Sequence, residues 1–63
     1  MVNSGSVWIE NKTDKKVRVI QVVDDEKRHV DIRQLGTIHK DFIPYDEFVE
    51  DYSLVFNPSR QNK

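Results

Sequence analysis

Val17-Arg18-Val19-Ile20-Gln21-Val22-Val23 is the stretch on which the fold turns. Four Val and one Ile in seven positions make a strand, because β-branched side chains are stiff at χ1 and pack well on a pleated surface. Strict alternation puts Val17, Val19 and Val23 on one face with Gln21, and Arg18, Ile20 and Val22 on the other. Apolar side chains on both faces predict a central strand, onto which the remaining apolar clusters pair or fold.

Outward toward the N-terminus, Asn11 to Lys16 is polar and charged, with Asn, Asp and Thr side chains suited to turns. It reads as the loop of a hairpin whose other arm is Ser6 to Glu10, with Val7 and Ile9 on one face and Trp8 on the other. Toward the C-terminus, Asp24-Asp25-Glu26-Lys27 reads as a turn. Arg28 to Arg33 then alternates, with Val30 and Ile32 inward and His29, Asp31 and Arg33 outward, the pattern of a half-buried antiparallel strand. Leu35-Gly36 predicts a bend, and Thr37 to Ile43 a fourth strand.

Pro44 ends that strand and suits the first turn of a helix, where its missing N–H costs nothing. Asp46 and Glu47 follow where negative charge favours the helix dipole. Phe48, Val49 and Tyr52, extended by Tyr45, are read as the apolar face of a short helix that must dock on the sheet. Ser53 to Phe56 reads as a last short strand. The expected organisation is an N-terminal lead over residues 1–4, a single β-barrel domain over 5–56 and a disordered tail over 57–63. The expected fold class is mainly β: a small SH3-like barrel or curled antiparallel sheet of four to five strands, with one short C-terminal helix.

This order of features resembles small SH3-like barrels of uncharacterised bacterial and phage proteins. The resemblance is carried by Gly5, Val7 and Trp8, by the strand Val17 to Val23, by Pro44, Asp46, Glu47 and Phe48, and by Tyr52, Leu54 and Val55. It implies a fold and a binding role rather than a partner. The chain departs from ribosomal-type SH3-like nucleic-acid binders, which are distinctly basic.

Sixty-three residues with no Cys make one domain with a thin margin of stability and neither a disulfide nor a thiolate metal site. Ten Lys and Arg nearly balance eleven Asp and Glu, which argues against bulk attraction to nucleic acid or membrane. No apolar run approaches the ~20 residues of a membrane span. No basic-then-apolar leader opens the sequence, so a cytoplasmic protein without membrane contact is expected.

His29 and His39 lack metal-ligand spacing, and both read as surface residues. His29 shares a face with Asp31 and can form a His–carboxylate pair, but no nucleophile accompanies it. Asp24-Asp25-Glu26 lacks the alternating spacing of a Ca²⁺ loop. No enzymatic activity, cofactor or metal is expected. A small metal enzyme or hydrolase would need His29, Asp31 and His39 to converge.

Two charged clusters are the candidate sites. Asp46, Glu47, Glu50 and Asp51 form an acidic patch for a basic partner, with like-charged i, i+4 pairs that cost a few tenths of a kcal/mol each. Lys12, Lys15, Lys16 and Arg18 form a basic loop that, with Trp8, could offer stacking and phosphate contacts to single-stranded nucleic acid. As the only Trp in the chain, Trp8 is better placed in the core. The expected function is a protein-binding adaptor or inhibitor of phage-encoded type. The alternative is a nucleic-acid-binding barrel using the basic loop. Another protein, nucleic acid and a second copy of the chain are the candidate partners.

Overall fold

The computed structural model describes residues 2–58. The elements run β1 (Val7–Glu10), β2 (Lys16–Val23), β3 (His29–Gln34), β4 (Lys40–Pro44), α1 (Tyr45–Asp51) and β5 (Tyr52–Phe56). They form one five-strand antiparallel sheet in the order β4-β3-β2-β1-β5. β2 is the central strand, as its two apolar faces predict. The expected barrel is not closed: β4 and β5 lie at opposite ends of the sheet order and do not pair. The expected tail falls mostly on residues 59–63, outside the described residues. Asn57 and Pro58 lie against the N-terminal turn.

The alternation of β2 is broken once. Val19 pairs with Ile32 and Gln21 with Asp31, so Ile20 is an extra residue in the ladder. Such a bulge shifts the facing of everything beyond it. Val17 and Val19 therefore face the core before the bulge. Val22, opposite Val30, packs against the core after it, and Ile20 is left 40% exposed. Strict alternation had put Val22 on the face away from Val17.

The core consists of Val2, Trp8, Val17, Val19, Val30, Ile32 and Phe48, with Val22, Ile43, Tyr45 and Tyr52 packed around it. Phe48 is fully buried. Its ring lies 4.9 Å from that of Trp8 at 60°, and stacks on Tyr52 with 4.6 Å between centroids. Burying one such side chain contributes about 1.5–3 kcal/mol, so in a chain this short Phe48 is a main anchor. Trp8 donates its indole Nε1–H to Ser6 Oγ at 2.9 Å, and Ser6 is itself fully buried.

Val2 comes from a lead without periodicity, yet it is buried. Gly5 N donates to Val19 O, Val19 N donates to Ser6 O, and Asn3 Nδ2 donates to Asn57 Oδ1. These bonds hold the N-terminal turn between β2 and the end of β5.

Leu35-Gly36 is a turn, with Gly36 at φ +81°, and β4 starts only at Lys40 rather than at Thr37. Pro44 closes β4 with extended geometry and caps α1. The helix is seven residues long and buries only Phe48 fully. Val49 is 44% exposed and does not share the docked face, while Tyr52 has left the helix to begin β5. A two-turn helix against a sheet has room for one deep contact, and Phe48 occupies it.

Candidate functional site

The acidic candidates Asp46, Glu47, Glu50 and Asp51 all lie exposed on α1. Of the basic candidates, Lys12 and Lys15 are exposed in the β1–β2 loop, and Lys16 is exposed at the start of β2. Arg18 is half-buried, and its guanidinium Nη1 donates to Gly5 O at 2.9 Å. That bond makes Arg18 a brace of the N-terminal turn. The two charged regions adjoin. Asn11 N donates to Asp51 O at 2.9 Å, and Ser53 Oγ donates to Asn11 Oδ1 at 2.7 Å. The loop thus begins where the helix ends. Trp8 is only 7% exposed and its N–H is engaged internally, so it offers no face to a stacked base.

His29 Nε2 lies 3.4 Å from Asp31 Oδ1, and its Nδ1 is 3.2 Å from Lys27 O. Asp31 also accepts from Gln21 Nε2 at 2.7 Å. His39 sits apart in the β3–β4 loop, its backbone N–H donating to Thr37 Oγ1. Among the described residues no group of three or more His, Cys, Asp or Glu is arranged to hold a metal ion, and no helix is long and apolar enough to cross a membrane.

One surface feature was not revealed by charge patterning. Phe42 points from β4 onto the outer face of the sheet, opposite Asp31, and is 65% exposed. Beside it a cleft of about 540 Å³ is lined by Glu26, Lys27, Arg28, His29, Phe42, Pro44, Tyr45 and Asp46. Its walls are held in place. The guanidinium of Arg28 lies 3.8 Å over the Tyr45 ring, and Tyr45 N donates to Arg28 O at 3.0 Å. These contacts bind the β2–β3 loop to the start of α1. The His29 ring meets Phe42 edge-on at 5.5 Å. An aromatic with few rotatable bonds, flanked by braced polar groups, is the kind of anchor that interfaces favour. The sequence signal was Phe42 beside Ile43: one of the two had to face outward, and register with β3 chose Phe42. Asp46 belongs both to this cleft and to the acidic series on α1.

A second cleft of about 400 Å³ marks the seam where the sheet fails to close. Glu10 and Tyr52 line one side and Lys40 and Asp41 the other, over a floor of Val17 and Ile32. The Tyr52 phenol is held above its ordinary value of 10.0, first by burial and then by the charges of Glu10, Asp41, Asp51 and Glu47.

Fold and surface define a small mainly-β protein with a five-strand antiparallel sheet and one short helix near its C-terminus. Comparison with protein families, curated proteins and solved structures gave no match.

Proposed function

We propose that this protein is a non-enzymatic interaction module that binds another protein through the cleft at Phe42. The observation that carries the reading is Phe42 itself: a large aromatic, 65% exposed, beside a cleft whose walls are braced by the Arg28–Tyr45 contact. A partner fitting this surface offers an apolar or aromatic side chain to Phe42. It places basic side chains along Asp46, Glu47, Glu50 and Asp51, which continue from the cleft rim along α1. The SH3-like reading of the fold belongs to the same proposal. It is supported by the meander β1 to β4, by the helical turn before β5, and by the return of β5 to β1.

The test is capture from the source cell by the native chain and by Phe42→Ser. An exposed side chain can be exchanged within about 0.5 kcal/mol, so circular dichroism and thermal melting should be unchanged. Recovery of the specific partner should drop at least about tenfold, as expected when an aromatic hot spot is truncated. Equal recovery by both proteins removes the cleft as the binding site. Recovery of nucleic acid that fades steeply with salt, and is lost in a Lys12, Lys15 and Lys16 to Ala variant, replaces this reading with the nucleic-acid one.

A further inference from the structure

We infer that the docking site at Phe42 extends across the outer face of the sheet to Ile20, and that it takes an extended basic segment of another protein carrying two apolar side chains two residues apart. The inference rests on the reading of Phe42 as the docking residue, and adds a second hollow and the chemistry of the occupant. Phe42 stands between two hollows. One is the cleft toward Pro44 and Tyr45. The other, of about 310 Å³, lies toward the start of β4 and is lined by Ile20, Gln21, Asp31, Lys40, Asp41 and Phe42.

Ile20 reaches this surface because of the bulge in β2. It is the extra residue between the pairs Val19–Ile32 and Gln21–Asp31, and it is 40% exposed. Bulges re-aim side chains in this way and gather beside functional sites. Asp31 lies opposite both Gln21 and Phe42 in register. Its carboxylate accepts from Gln21 Nε2 at 2.7 Å and lies 3.4 Å from His29 Nε2. A carboxylate has about four acceptor sites, so Asp31 keeps capacity for a cation from the partner.

The geometry of β4 sets the spacing of the occupant. Asp41 and Ile43 pair with the inward residues Ile32 and Val30, which leaves Lys40, Phe42 and Pro44 facing outward. Successive outward residues of a strand are about 6.6 Å apart. An extended partner has the same spacing along one side, so apolar side chains at i and i+2 straddle Phe42 with one in each hollow. The segment lies on the face and does not add a strand to the edge. Phe42 N already donates to Asp41 Oδ1 at 2.8 Å, and Pro44 has no N–H to offer.

Charge selects a basic segment. Glu26 and Asp46 rim the first hollow and Asp31 and Asp41 the second. Glu47, Glu50 and Asp51 continue from Asp46 along α1. Lys27, Arg28 and Lys40 are the cations of the two hollows, and Arg28 is committed to the Tyr45 ring. The surface is an apolar ridge in a predominantly acidic frame, which Lys or Arg flanking the two apolar residues would complement. A second copy applied face to face would bring these carboxylates together. Nucleic acid or an anionic membrane would set phosphate against them.

The test is an NMR titration of the native chain with a synthetic nine-residue peptide. The peptide carries two leucines two residues apart, with two lysines on each side of them. The amides of Gln21, Asp31 and Phe42 should shift together. Ile20→Thr should weaken binding at least about fourfold, since each buried methylene contributes roughly that factor. Phe42→Ser should weaken it at least about tenfold. Adjacent leucines point to opposite sides of an extended segment, and a peptide carrying them should bind the native chain at least about fourfold more weakly. So should a peptide with glutamate in place of lysine. Neither comparison depends on a protein variant folding. Unchanged affinity in Ile20→Thr, with loss in Phe42→Ser, removes the second hollow and leaves the reading of Phe42 in place. Indifference to leucine spacing or to charge overturns the occupant. So do amide shifts at Phe42 that grow with protein concentration alone, or binding to phosphatidylglycerol vesicles that is lost in Phe42→Ser. No binding of the peptide overturns the whole inference, whereas the reading of Phe42 falls only if capture from the source cell is equal with Phe42→Ser.

Discussion

Gly5 and Gly36 share a backbone geometry but differ in their surroundings. Both sit at positive φ, +84° and +81°, where a side chain costs roughly 1–2 kcal/mol through contact of Cβ with the carbonyl oxygen. A Cβ on Gly36 would meet nothing within 4 Å, whereas one on Gly5 would lie 3.3 Å from Pro58 Cγ. Gly36→Ala should therefore cost about 1 kcal/mol from the backbone alone. Gly5→Ala should cost about 2 kcal/mol, because its Cβ also presses on the Pro58 ring. Urea unfolding of the two variants checks the ordering, and equal losses would mean that the Pro58 ring yields freely. Neither the Pro58 contact nor the burial of Val2 was legible in the sequence. Both depend on contacts between segments distant in sequence, which no local periodicity records. Val30 and Ile32 were legible because alternation within one regular strand is enough to place them.

At the level of elements, the strand at Val17–Val23, the hairpin before it and the break at Pro44 could all be read directly. Each rests on local stereochemistry: β-branching, turn chemistry, and a residue lacking an N–H. The facing of Val22 was not legible, since one extra residue at Ile20 reverses the pattern and nothing in a run of β-branched residues marks which one bulges. Closure was not legible either, because it depends on whether two distant edges meet. The helix shows the same divide. Its start is local, but whether Val49 docks depends on what lies across from it. For the acidic face of α1, Glu47→Lys with Glu50→Lys replaces like-charged i, i+4 neighbours by opposite ones, a gain of about 0.2–0.5 kcal/mol per pair. Lys at residue 47 opposes the dipole at the helix start and offsets part of this. Thermal stability should shift little. If the acidic series guides the partner of the Phe42 cleft, association should slow and its salt dependence flatten or invert. Unchanged association kinetics would confine that partner to the cleft itself.

At the scale of the whole molecule, charge from separate elements converges on the open seam. Glu10 from β1, Asp41 from β4, and Glu47 and Asp51 from α1 all act on the phenol of Tyr52, and burial adds to their effect as the largest cause. Each disfavours the phenolate, so the folded chain holds the Tyr52 proton more tightly than the unfolded chain does. The associated stability is complete below the ordinary value of 10.0. It is lost as pH rises through the higher folded-state value. Stability measured by urea unfolding should thus decline above about pH 10 more steeply in the native chain than in Tyr52→Phe, which keeps the stack on Phe48 but has no proton to lose. Comparing the two proteins cancels the titration of the lysines, which both share. Added salt should reduce the part of the difference that comes from the four carboxylates and leave the part due to burial. Parallel pH profiles for the two proteins would show that the seam opens enough for water to solvate the phenolate. The seam would then be a flexible gap in the sheet rather than a fixed cleft.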